Sequence, residues 1–117
     1  MLRNRIHPPK EPLSQVVFIL DYVQLFFGEN VFTFYNDPII TENHHSKHRD
    51  TPGFCDKIVN LIGLCISQIS VAESGALTLC FSQNLSIFVP TENSNTEGPE
   101  AWQFSEANGQ IWVQANV

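Results

Sequence analysis

The densest group of potential metal ligands in the chain is His44, His45 and His48, with Glu42 and Asp50 beside them and Cys55 further along. Imidazoles and carboxylates of this kind can hold zinc. His44 and His48, four residues apart, would share a face if the segment were helical. Nothing nearby predicts a rigid helix, however, and Lys47 and Arg49 add positive charge where a cation would sit. A metal site needs ordered ligands and outer partners that orient them. The residues therefore read first as a solvated, His-rich linker. A small-ligand or metal-binding domain using His44, His45 and His48 is the alternative, and no cofactor is expected.

Other chemistry is thinner still. Cys55, Cys65 and Cys80 form an odd set without CxxC spacing, each within an apolar segment, which predicts reduced, buried thiols in a cytoplasmic protein. Cys55 lies where a helix would begin and could have its thiol acidified there, but Asp56 opposes that. No GxSxG elbow or phosphate-cradling glycine loop is present. Glu97 and Glu100 flank Gly98-Pro99, yet acid–base work needs a desolvated pocket to separate two carboxyl pKa values. A Thr/Asn/Ser loop supplies none. No enzyme is expected.

Charge says more. The formal charge is −6, and no Lys or Arg follows Lys57, whereas Glu73, Glu92, Glu97, Glu100 and Glu106 all do. Such a field repels phosphate backbones and anionic lipids and admits a basic protein. No apolar run is long enough for a membrane helix, and the three prolines of the first 14 residues interrupt any signal-like apolar stretch.

Elements that could position these groups follow from periodicity. At 117 residues, with 43% apolar and 15% charged, the chain fits one folded domain. Residues 1–14, punctuated by Pro8, Pro9 and Pro12, predict a flexible N-terminal arm, and residues 15–117 a single α+β domain. Strand-like text runs over Val16–Leu20, Tyr22–Phe27 and Val31–Tyr35, with a turn at Gly28-Glu29-Asn30. YVQLFFGENVFTFY lies without a gap over ALTLCFSQNLSIFV 54 residues later, placing Leu25 on Leu79, Phe27 on Phe81, Asn30 on Asn84 and Phe34 on Phe88. A further β-rich stretch precedes each hairpin, Val16–Leu20 and Ile66–Val71, which predicts a β-β-β unit used twice in repeat-like halves at 15–37 and 65–90. Val23, Leu25 and Phe27 share one strand face, as do Leu77, Leu79 and Phe81.

Between the halves, Pro38–Gly53 is polar, and then an amphipathic helix is predicted at about 52–63. Thr51 would cap it, Pro52 would open it, and Phe54, Ile58, Leu61, Ile62 and Cys65 would form its apolar stripe. A polar loop, Pro90–Glu100, precedes a closing hairpin whose Asn108-Gly109 turn, if tight, sets Trp102 opposite Trp112. The expected fold is α+β, dominated by mostly antiparallel sheet.

The run ALTLCFSQNLSIFVPTENSNTEGPEAWQF resembles small acidic bacterial domains of unassigned function, in which two apolar-alternating strands lead into an acidic loop ending near Glu-Ala-Trp. The likeness covers roughly residues 50–105. Immunity proteins of bacterial polymorphic or contact-dependent toxin systems are among the proteins of this look. The resemblance implies a non-enzymatic, cytoplasmic inhibitor whose acidic surface covers a basic toxin domain, often a nuclease. Glu92, Glu97, Glu100, Trp102 and Glu106 are the expected partner-binding residues, Trp102 because tryptophan is enriched in interface hot spots, although Trp102 and Trp112 read first as caps on the core.

Overall fold

A computed structural model describes residues 6–91 and 98–117, and these described residues form ten strands and one short helix. The strands are β1 (Gln15–Phe18), β2 (Val23–Phe27), β3 (Asn30–Phe34), β4 (Ile39–Glu42) and β5 (His45–His48), then β6 (Gln68–Val71), β7 (Leu77–Ser82), β8 (Leu85–Val89), β9 (Glu100–Ser105) and β10 (Ile111–Ala115). The helix, α1, spans Phe54–Val59 between β5 and β6. The expected β-dominated α+β class is what the chain adopts. Its strands form two antiparallel five-stranded sheets, in the orders β1-β2-β3-β9-β10 and β5-β4-β8-β7-β6.

That order exposes an internal symmetry wider than the matched hairpins. Three consecutive strands, β1-β2-β3, build one sheet, and the hairpin that follows, β4–β5, crosses to the other. The second half repeats the plan: β6-β7-β8 build one sheet and β9–β10 crosses back. The repeat units are thus residues 15–48 and 68–115 rather than 15–37 and 65–90. The polar stretch Pro38–Gly53, with its His-rich segment, contains β4 and β5 rather than a linker. Its polarity arises because Thr41, Ser46 and His48 lie on an outer face, and because Asn43 and His44 occupy the turn.

Apolar alternation drives the assembly, because a strand with every second side chain apolar can bury one whole face. Val23, Leu25 and Phe27 on β2 and Leu77 and Leu79 on β7 are all buried, with Phe81 nearly so, and they meet in a single core. Phe27 stacks on Phe81 across the two sheets, and Phe32 on β3 stacks on Phe104 of β9 with ring centroids 4.0 Å apart.

The gapless match slips by one residue after Phe81. Leu25 pairs with Phe32 and Val23 with Phe34, while Leu79 pairs with Ile87 and Leu77 with Val89. A β-bulge between Cys80 and Ser82 absorbs the extra residue. Phe34 therefore corresponds to Val89, and Phe88 is turned outward and exposed. The β2–β3 turn is Gly28-Glu29, with Gly28 at φ 63°, so Asn30 is the first residue of β3.

The helix is half the expected length. Gly53, at φ 89°, stands at its N-cap and breaks the helical path, leaving Thr51 and Pro52 in the preceding turn. Asn60 ends it, but bonds from Leu61 N to Ile58 O and Leu64 N to Leu61 O carry single turns onward. Phe54, Ile58 and Leu61 reach the common core, and α1 packs beside β4.

Residues 6–14 are a packed strap, not a loose arm. Leu13 is buried, its N–H donates to Leu64 O and its carbonyl accepts from Gly63 N, both at 2.8 Å. Ile6 joins the core. The prolines stiffen an extended segment that lies along the body.

Candidate functional site

Of the expected partner-binding residues, Glu92 and Glu97 lie outside the described residues. The other three sit on or beside β9, whose alternation sorts them. Trp102 points inward and is buried, its Nε1 donating to Gly75 O at 2.8 Å. It serves the core and offers nothing to a partner in this conformation. The hairpin loop explains why Trp102 and Trp112 do not face each other. Glu106 N donates to Gln110 O and Gly109 N to Glu106 O, closing a three-residue loop, Ala107-Asn108-Gly109, with Gly109 at φ 96°. Trp112 is thereby set against Phe104, and Trp102 against Gln114.

Glu100 and Glu106 mark the two ends of β9, about 20 Å apart along an extended strand. Glu106 is fixed at one end by Trp112 Nε1, which donates to its Oε2 at 2.7 Å. Glu100 stands at the other end beside Tyr35. The Tyr35 phenol is pushed above its usual range, first by burial, then by the Glu100 carboxylate and by Tyr22. Among the described residues the one ion pair joins Lys57 to Glu42, so neither Glu100 nor Glu106 is neutralised by a base there.

The foot of β9–β10 is also where the Pro90–Glu100 connection is anchored. Asn36, buried, donates to Pro90 O and to Asn116 Oδ1. Asn116 in turn donates through Nδ2 to Gly98 O and through its backbone to Pro99 O. Val117 N reaches Thr91 O. Both ends of the connection are thus held by one amide pair, the buried Asn36 and the half-buried Asn116, and Glu100 leaves it in a fixed position.

The feature that sequence reasoning missed is the outer face of β10. Trp112 packs inward against the core, so its neighbours Ile111 and Val113 point out, at 59% and 53% exposure. Among the described residues β10 is the last strand of its sheet. The signal was present in Ile-Trp-Val, since a buried central residue in a strand forces its two neighbours outward.

The histidines do not converge. His44 occupies the β4–β5 turn at φ 69°, while His45 and His48, three apart on β5, project from opposite faces. Among the described residues no group of three or more His, Cys, Asp and Glu side chains is close enough to hold a metal ion. The cysteines are free thiols, but Cys55 and Cys65 are exposed and Cys80 half-buried, against the expectation of core positions. Cys55 lies on the solvent side of α1, and Cys65 follows the last helical turn, its Sγ 3.7 Å from Lys10 O. No described helix is long and apolar enough to cross a membrane.

No family model matches the chain, and no curated protein or solved structure matches it either.

Proposed function

We propose that the chain is a non-enzymatic protein-binding domain whose acidic side, centred on β9–β10, captures a basic protein. The supporting observation is that Glu100 and Glu106, neither paired with a base among the described residues, bracket a hairpin with two exposed β-branched side chains, in a half of the chain that has no Lys or Arg. Apolar contact surface ringed by one sign of charge is how a surface gains both affinity and a fast, selective approach. Three free thiols suit a reducing cytoplasm, the compartment proposed here.

Within this class, the reading is an immunity-type inhibitor of a basic toxin domain, as the resemblance of residues 50–105 implies. The decisive experiment is calorimetric titration of the chain with the basic product of the neighbouring gene, and with an unrelated protein of equal charge. Tight binding to the first, weakened by added salt, is expected. Affinity no better than for the charge-matched control overturns the reading.

A further inference from the structure

We propose that β10 is an open docking edge onto which the basic partner adds one extended strand, with lysine or arginine at both ends of the segment that pairs. The inference rests on the binder reading above and names the mode of docking.

Backbone alternation identifies the free groups. Glu106 and Gln110 form a hydrogen-bonded position, and in an antiparallel ladder such positions alternate. Phe104–Trp112 and Trp102–Gln114 are then the bonded pairs. The N–H and C=O groups of Ile111 and Val113 point away from β9, to the side where the described residues place no further strand. Their side chains stand on the outer face beside Ser105 and Gln103, where an added strand would cover them. Strand addition takes affinity from such main-chain bonds and specificity from the side chains beside them.

The other half of the molecule provides the contrast. β5 is the terminal strand in the equivalent position, and it carries His45, Lys47 and His48 with Arg49 next. Charged side chains are the ordinary protection of a sheet edge against another chain. β10 has no charged residue and no proline. Of the remaining edges, β6 presents Gln68 and Ser70 outward and β1 presents Gln15 with Val17.

Charge decides the occupant. Glu106 stands at the head of β10, and Glu100 pairs with Ala115 at its foot. A second copy would bring −6 against −6 and its own Glu100 and Glu106. A basic strand would bring a cation to each end.

The test uses the intact chain, isotope-labelled for NMR, and an eight-residue peptide of alternating Thr and Val with lysine at both ends. Controls are the same peptide with glutamate ends and one with a central proline. Shifts confined to Ile111–Gln114 are expected, with slowed exchange of the Ile111 and Val113 amides and at least tenfold weaker binding of either control. Val113→Pro removes an N–H that points away from β9, so circular dichroism and melting should hold while peptide binding falls at least tenfold. Ile111→Lys, which restores a β5-like guard, should do the same and decides the matter if the proline variant unfolds. Equal binding of the two charged peptides, shifts elsewhere, no binding, or a doubled mass in light scattering overturns the proposal. The two readings separate cleanly. A whole basic protein that binds wild type and both variants equally removes the docking edge and leaves the binder. A lysine-ended peptide that docks on β10 when no basic protein binds does the reverse.

Discussion

The hairpins β4–β5 and β9–β10 occupy equivalent places, each crossing from its own half to finish the opposite sheet. β4–β5 is short, turns on two residues, Asn43 and His44, and contributes Ile40 alone to the buried set. β9–β10 is longer, turns on three, and buries Ala101, Trp102 and Phe104. At the free edge the order reverses: the lightly anchored hairpin ends in a charged strand, the deeply anchored one in an apolar strand. Topology fixes where an edge lies, and side chains decide whether it is sealed. A hairpin that is to bear a partner's strand gains from rigid anchoring, because less ordering is then paid for on binding.

Removing the inner anchors is the strongest way to break that contrast. Phe104→Ala empties a site stacked on Phe32 and should cost about 3–5 kcal/mol, whereas Ile40→Ala on β4 should fall near the lower end of about 2–5 kcal/mol. Urea denaturation of the two variants checks the order. A larger loss at Ile40 would show that the halves are anchored the other way round. With net stability of only about 5–15 kcal/mol typical of domains, Phe104→Ala should be visibly less cooperative or partly unfolded on warming.

Polar tethers come next. Trp102→Phe keeps a ring in the core but leaves Gly75 O without its donor, an expected loss of about 1–3 kcal/mol. The corresponding tether of the other hairpin is the half-exposed Glu42–Lys57 pair, so Glu42→Gln should cost less than about 1 kcal/mol and vanish in high salt. Thermal melts at two salt concentrations distinguish them. Salt dependence for Trp102→Phe, or its absence for Glu42→Gln, would contradict the assignment.

At the turns the expected sign changes. His44 is held in the left-handed region, which costs a non-glycine residue roughly 1–2 kcal/mol, and Asn-Gly is the preferred pair for a two-residue turn with both φ angles positive. His44→Gly should therefore stabilise the chain, by about 1 kcal/mol or somewhat less after the added unfolded-state entropy of glycine. Destabilisation would mean that the His44 side chain does structural work.

Most strands were legible because β1, β2, β3, β6, β7, β8, β9 and β10 announce themselves by alternation or by β-branched and aromatic runs. β4 and β5 were not, since HSKH has no apolar residue and gains its place only by pairing with Ile39–Glu42. The bulge at Phe81 was hidden for a related reason: sequence alignment counts residues, whereas a bulge is a property of pairing. The helix was overextended because Phe54, Ile58 and Leu61 keep their spacing through the single turns beyond Asn60. Trp102 reads from sequence as either a core cap or a partner anchor, and only its register with the neighbouring strands turns it inward. Glu100 and Glu106 were legible as charge, but their separation by the length of β9 required the fold.

The smallest effect concerns the foot of β9, where Tyr35 reports on Glu100. Tyr35 N bonds to Ala101 O, so the ring is held next to the first residues of β9. Burial comes first among the causes that raise its phenol above 10.0, with Glu100 second. Glu100→Gln should consequently bring the phenol part of the way back, not all of it. Tyr22 and Tyr35 are the two tyrosines, so phenolate absorbance in a Tyr22→Phe background, with and without Glu100→Gln, isolates the change. The folded chain holds this proton more tightly than the unfolded chain. Its contribution to stability is therefore complete below about pH 10 and is lost as pH climbs through the raised value. Glu100→Gln should narrow that window from above. A phenol unmoved by the substitution would place the Glu100 carboxylate away from Tyr35, and would weaken the case that both ends of β9 carry an unscreened negative charge.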